Sequence, residues 1–363
     1  MPFQKILNIL PPLYSGFLPN FFKESIPTED LSTCDDCAVC PKEEVPHVPD
    51  LTYFSPDVKC CTYYPALPNY LVGAILADQN PVVEAGRHRV KEIIKNRLGV
   101  TPHGLLPTEE YSNRYKRLKM RGFGRFKSLL CPYYMGDTGR CAIWTFRKSM
   151  CITWYCVYVA GQFGHNFWTA FREYLAHVED TLAKYALQKM DIGPDMILAY
   201  TFASESDPET LYPFGDKRKE LDADLFHEFL WAEWVDREEA FYLQSFEAVS
   251  ALSREEFEGI TGVRHGVLLD HTKNKYREMI NPRLPSVLKL NPDIKITKLE
   301  DGTFAVYSSI TSFIVPTVVR DILMMFDGRR TNQSIIKELE EERRVKIGQD
   351  LLLALFQNGA LVS

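Results

Sequence analysis

From Val157 to Ser363 this chain has no cysteine, although nine are present before that point. It has no run of about eighteen or more uncharged apolar residues, so no membrane-crossing helix is expected. No internal repeat or low-complexity tract is visible. Strong charge of one sign is missing too: the formal net charge is -6, which gives no global sign of nucleic-acid binding. With 45% apolar and 25% charged residues the composition is that of an ordinary globular protein, and 363 residues suffice for two or three domains. An export signal is not apparent. The opening "MPFQKILNILPPLYSGFLPNFF" is apolar, but Pro11, Pro12 and Pro19 break it and it shows no small-residue cleavage site. It reads as a docking arm, with an interfacial anchor as the alternative. An odd number of cysteines without export points to free thiols in a reducing, cytoplasmic setting.

What is present sorts into four segments: an arm (1–30), a cysteine-rich domain (31–160), a helical region (161–282) and a small C-terminal domain (283–363), with the last boundary at "NPRLP". The fold class expected is α+β and mainly helical, with loops and short helices around the cysteines. Asn80, Pro81 and Gly99 mark a helix in "NPVVEAGRHRVKEIIKNRLG", and Thr108 caps a second. From Arg114 to Lys127 seven basic residues occur with no acid; this is a solvated face or a landing surface for an acidic partner or phosphates. Phe167, Phe171, Leu175, Val178, Leu182 and Tyr185 recur every three or four residues and predict a long amphipathic helix. "DMILAYTF" reads as a strand or loop. Leu221 to Ile260 is helical in pattern and acidic, its acids facing water or the basic stretch. In the last eighty or so residues, Asp301-Gly302 predicts a turn between two strands. "PTVVRDILMMFDGRRT" reads as a helix ending at Asp327-Gly328, and Thr331 as the cap of the next. A third helix is expected to end at Gly359, followed by a closing strand. Short strands and three helices in this order predict a winged-helix domain.

The chemistry lies in the thiols. Cys34, Cys37 and Cys40 form C-x2-C-x2-C, a spacing that lets three sulfurs converge while backbone N–H groups offset their charge. A four-iron cluster needs a fourth ligand, for which Cys60 and Cys61 are the nearest candidates. Adjacent residues point apart, so one could face the first site and the other a second. Cys131, Cys141, Cys151 and Cys156 bring ligands from separate loops among Tyr133, Tyr134, Trp144, Trp154 and Tyr155, which would exclude water. Lys59, Arg140, Arg147 and Lys148 could balance thiolate charge. A single buried cysteine is ordinary packing, and for Cys131 alone packing and ligation weigh equally. The triple spacing and the excess of thiols favour an iron–sulfur cluster over zinc, which usually takes two close pairs of ligands. One cluster or two, of the 4Fe-4S type, both fit. His47 is a candidate ligand; His165 reads as structural, and the remaining histidines form no spaced set. No G-x-S-x-G, H-E-x-x-H, phosphate loop or C-x3-C-x2-C occurs, so no acid, base or nucleophile is assigned and enzyme status stays open.

"CDDCAVC", "CC" and "GRCAIWTFRKSMC" together resemble the CxxCxxCC-type zinc- or iron-chelating family, with Cys141-Ala142-Ile143-Trp144, Arg147 and Cys151 matching a later family segment. The CC pair lies apart from the CxxC elements, Lys148 stands where Pro is usual, and Cys156 is extra. The resemblance implies metal binding without a defined reaction. "VVRDILMMFDGRRTNQSIIKELEEE" and "QDLLLALFQNGALVS" resemble a PqqD-like winged-helix domain, which implies recognition of a peptide at a strand edge. Two functions are therefore expected to compete. One is an iron–sulfur protein with an electron-transfer or redox role, in peptide or protein modification, with a redox protein or peptide as partner. The other is a zinc-stabilised scaffold that binds a peptide or protein through the winged-helix domain.

Overall fold

The arm is the first part of the structure to explain, because its apolar residues need cover. In the computed structural model, which describes residues 2–41, 53–118, 121–201, 220–308 and 312–363, Phe3–Lys5 (β1) pairs antiparallel with Ser25–Pro27 (β2). The prolines force the chain between them into three short 3-10 turns instead of one helix. Those turns drive Ile6, Tyr14, Phe17, Phe22 and Ile26 into the main core, essentially without exposure. Each such side chain contributes about 1.5–3 kcal/mol of burial. Phe22 stacks on Phe171 at 5.5 Å, and the Tyr14 and Tyr70 hydroxyls share a 2.7 Å hydrogen bond.

Leu67–Pro68 (β3) leads into Asn69–Ala77 (α1), a helix apolar on all sides and buried almost throughout. Its one polar residue, Asn69, is satisfied by donating to the carbonyls of Pro102 and Ala183, both at 3.1 Å. Next come Glu84–Lys95 (α2), Val100–Thr101 (β4), Gly104–Leu105 (β5) and Glu109–Leu118 (α3). As the sequence predicts, Asn80 accepts from Val82 N–H at 3.0 Å, Gly99 takes a left-handed φ of 66°, and Thr108 accepts from Tyr111 N–H at 3.2 Å. The cysteine segment adds a hairpin, Tyr134–Met135 (β6) with Arg140–Cys141 (β7), and the short helix Ser149–Thr153 (α4).

The long amphipathic helix runs Gly161–Lys189 (α5); of the six predicted core positions five are buried and Tyr185 is half-buried. "DMILAYT" is not a strand or loop but the helix Pro194–Thr201 (α6). Pro194 sits in its first turn, and a short apolar run cannot itself distinguish helix from strand. Ala223–Trp231 (α7), Glu238–Ser250 (α8) and Arg254–Ile280 (α9) complete the helical layer. Gly73 of α1 lies so close to α8 that a Cβ there would meet the Tyr242 carbonyl oxygen at 1.9 Å. Thr272 bonds the carbonyl of Ala170, and His177 that of Thr261, so α5 and α9 run antiparallel. The acids of this region face water as expected, all but Glu238 being exposed, and three of them reach α2 and the residue Arg97 just after it: Asp224 and Asp236 pair with Arg97, and Glu239 with Lys91. One hydrophobic core therefore extends from Ile6 to Met279, shared by the arm, the cysteine segment and the helices.

A second core, Leu288 to Leu361, belongs to the C-terminal unit. Val287–Leu290 (β8) is the middle of one three-stranded sheet. Lys295–Lys298 (β9), Phe304–Tyr307 (β10) and Ser312–Val315 (β11) form another, with the predicted turn at Asp301-Gly302. The helix that follows is shorter than the sequence predicts: Thr317–Leu323 (α10) stops before Asp327, and Asp327–Thr331 (β12) pairs with β8 as a bulged strand. Thr331 caps Asn332–Glu342 (α11) by accepting from Ser334 N–H at 3.2 Å. Gln349–Gln357 (α12) precedes Gly359, and Leu361–Val362 (β13) closes on β8. The unit docks on the start of α5: Phe356 packs on Phe163 at 5.5 Å, and Gly161 has φ 53° where a Cβ would meet the Gln357 oxygen at 2.1 Å. The chain is thus α+β and mainly helical. Among the described residues no helix is long and apolar enough to cross a membrane.

Candidate metal centre

Loops, the strand β7 and the short helix α4 carry the cysteines, and side chains far away in sequence pin them together. After Cys34, the turn to Cys40 is closed by Cys40 N–H donating to the Cys37 carbonyl at 3.2 Å. Lys59 Nζ donates to the Cys34 carbonyl, and Asp35 forms a 2.9 Å ion pair with Arg140 at the start of β7. Ser32 Oγ donates to the Val157 carbonyl at 2.5 Å and accepts from Val157 N–H at 3.0 Å; the Cys156 sulfur lies 3.4 Å away. Glu29 repeats this link deeper inside, accepting from Val159 N–H at 2.7 Å and from the Trp168 indole N–H at 2.6 Å. Burial pushes the Glu29 carboxyl up to about 7, against the lowering effect of those two donors.

Cys60 and Cys61 lie in a turn where Lys59 has φ 49°. Because the backbone is turned rather than extended here, the alternation expected of neighbours in a strand does not apply to this pair. The Cys61 carbonyl accepts from Cys131 N–H at 2.7 Å, which joins this turn to the third segment. Cys141 sits in β7 opposite Tyr134, and Cys151 in α4. Glu179 of α5 fixes α4 by accepting from Ser149 N–H and Oγ–H, both at 2.6 Å; burial lifts its carboxyl to about 7, with Lys148 opposing.

The thiols perturb one another's ionisation as one connected set. Cys37 contacts both Cys40 and Cys156; the hydrogen bond from Cys156 holds the Cys37 thiol down and raises that of Cys156. Burial raises Cys34, Cys40, Cys131 and Cys141, and pushes Cys151 up to about 12. Cys60 is raised by Cys61 first and burial second. Cys60 also bears electrostatically on Cys34, Cys40, Cys141 and Cys151, so it joins the N-terminal and the later cysteines. Cys131 feels Cys141 and Cys151. Four cations enter this field: Lys59 at Cys34 and Cys40, Arg147 at Cys34, Cys141 and Cys151, Lys148 at Cys151, and Arg89 at Cys131. The Arg147 guanidinium stacks 3.4 Å from the Trp144 ring centre and donates to the Cys151 carbonyl at 2.9 Å. Of the other two predicted counter-charges, Lys148 lies against Glu179 and Cys151, whereas Arg140 pairs with Asp35. Aromatic cover comes from Trp154 against Phe54 and Phe123, and from Tyr155 on Trp168 at 4.8 Å; Trp144 is instead 54% exposed.

All nine cysteines are free thiols. Among the described residues no group of three Cys, His, Asp or Glu side chains is close enough to grip one ion. His47 lies outside the described residues. His165 is packed edge-on against Tyr158 at 5.2 Å. Glu29, Ser32 and Trp168 were not singled out by the sequence, and nothing local marks them. No protein-family model matches the chain, and neither does any curated protein or any solved structure.

Proposed function

We propose that this chain is a metal-binding protein whose thiols hold an iron–sulfur cluster, one or two of the 4Fe-4S type, for electron transfer or a redox step in peptide or protein modification. The observation that carries this reading is that contacts draw the cysteine segments together: Lys59, next to Cys60, donates to the Cys34 carbonyl, Cys131 N–H donates to the Cys61 carbonyl at 2.7 Å, and the Cys156 sulfur lies 3.4 Å from Ser32 Oγ. The donor set fits such a group chemically: soft sulfur ligands, cations to offset thiolate charge, and aromatic walls. A cluster has several metal atoms, so its ligands stand farther apart than the sulfurs around one zinc, each about 2.3 Å from the ion. That suits thiols which influence one another without closing on a single point. When bound, the cluster would supply one-electron chemistry. The chain's own part is to position the sulfurs through Ser32, Glu29 and Glu179 and to keep water from them. Free thiols accord with a cytoplasmic protein.

The experiment is anaerobic purification followed by iron, sulfide and zinc analysis. The expected result is a brown protein absorbing near about 400 nm and bleached by dithionite, as thiolate-bound clusters do. Cys37→Ala should lower metal content; unchanged content removes the N-terminal triple from the site. Colourless protein with stoichiometric zinc would support the second reading, a zinc-held scaffold for a peptide or protein partner. One observation favours that alternative: the C-terminal unit has its own core and a sheet whose outer strands are β9 and β11, as strand-edge recognition requires.

A further inference from the structure

Three acids of the helical layer pair with Lys91 and Arg97, and the position of the basic stretch, at the end of α3 and in the loop after it, gives that stretch another use. The loop at 121–127 lies directly on the turn that carries Cys60 and Cys61. Gly124 N–H donates to Thr62 Oγ1 at 2.6 Å, and Ser55 N–H to the Gly124 carbonyl at 2.7 Å. Arg125 Nε donates to the Tyr53 carbonyl at 3.2 Å. Beneath the same loop, Phe123 packs edge-on against Trp154 at 5.5 Å, between Cys151 and Cys156 in sequence. The nearby acids are already engaged: Glu110 by Arg114, and Asp57 by Lys127 at 2.8 Å. Among the described residues no carboxylate pairs with Arg117 or Arg121, and both are exposed. Phe126, 45% exposed, lies in the same loop.

We propose that this basic face is the docking surface for an acidic one-electron carrier protein, an assignment that rests on the iron–sulfur reading above. Three features favour that occupant. Its charge is opposite to that of an acidic partner, on a chain that is otherwise net negative. Its loop bonds to Thr62, next to Cys61, and packs on Trp154, so a carrier seated there would lie on the cysteine-bearing side of the molecule. It also has an exposed apolar residue, Phe126, in its loop, as protein contacts do. The step is balanced without bond changes: one electron leaves the reduced carrier and enters the oxidised cluster.

The test uses the anaerobically isolated, cluster-loaded protein and a reduced plant-type [2Fe–2S] ferredoxin as the probe, followed by stopped-flow absorbance. The reduction rate should fall as salt rises, since exposed charges are screened beyond about 10 Å at 0.1 M. Arg117→Glu with Arg121→Glu should slow reduction about tenfold at low salt, within the range of electrostatic steering. Iron, sulfide and dithionite bleaching should be unchanged. The milder Arg117→Ser with Arg121→Ser should lose part of the rate and part of the salt dependence. Arg329→Glu, on the C-terminal unit, should behave as wild type. A charge-reversed protein that keeps its iron and sulfide and is reduced at the wild-type rate overturns the assignment alone. Absence of iron and sulfide overturns it together with the reading on which it rests. A single-stranded RNA oligonucleotide that binds this face more tightly than the ferredoxin also overturns it.

Discussion

Replacing Glu29 by Gln tests the link that holds Cys156 in place. In the native chain Glu29 is almost fully buried, and both oxygens accept from N–H donors of Trp168 and Val159. Its carboxyl is raised from 4.5 to about 7. Between those values the folded chain holds a proton that the unfolded chain has released. Stability therefore declines as pH rises through that window and is flat on either side. A shift of this size corresponds to about 3 kcal/mol. Glutamine cannot titrate, so that part of the slope should vanish. Its NH2 group also faces one of the two donors, leaving a buried N–H unpaired at a cost of about 1–3 kcal/mol. The variant should therefore be less stable than wild type at pH 4.5, and the gap should close by pH 8. Urea unfolding of the metal-free protein at a series of pH values, followed by tryptophan fluorescence, measures this. All five tryptophans precede residue 283, so the signal reports the front core alone. Two curves running parallel between pH 4.5 and 7 would refute the reasoning.

Gly161→Ala should destabilise the docking of the C-terminal unit. The residue would sit at φ 53°, costing about 1–2 kcal/mol, and its methyl group would displace the Gln357 carbonyl. Faster proteolysis near Asn281 to Ser286 with retained metal content is the expected result; an unchanged cleavage rate contradicts it. Metal loading should strengthen with pH, because Cys60, Cys131, Cys151 and Cys156 are held protonated at neutral pH and each must release a proton to bind. Each displaced proton gives about a tenfold change in apparent affinity per pH unit. Equilibrium loading at pH 6, 7 and 8 checks the sign, and loading independent of pH would remove these thiols from the ligand set.

Elements specified by neighbouring residues were legible in the sequence. The Asn80 and Thr331 caps, the Asp301-Gly302 turn and the apolar stripe of α5 each depend on residues within a few positions or on one helix period. β12 was not legible, because "DGRRT" has no apolar alternation and is a strand only through pairing with β8. α6 was ambiguous for a different reason: its apolar run is too short for periodicity to distinguish the two states. Within the candidate centre, the spacing of Cys34, Cys37 and Cys40 suggested ligands, and Arg147 and Lys59 were recognisable as nearby cations. The residues that position them were not. Glu29 meets Trp168 across 139 positions, and Ser32 meets Val157 across 125. Contacts of that range are written in the packing, not in any local pattern. The relation of Cys60 to Cys61 misled because alternation is a property of extended backbone and this pair lies in a turn.

The arm has a consequence for how the protein is made. Tyr276 of α9 donates its hydroxyl proton to the carbonyl of Ser25 at 3.0 Å, a contact spanning 251 positions. At about 5–20 residues per second of synthesis, Phe21 and Phe22 emerge roughly 10–50 seconds before the helix that covers them. During that interval the apolar, proline-broken stretch lacks the helix that packs on it in the folded chain. The front core cannot close, nor its sulfurs gather, until nearly the whole helical layer has been translated.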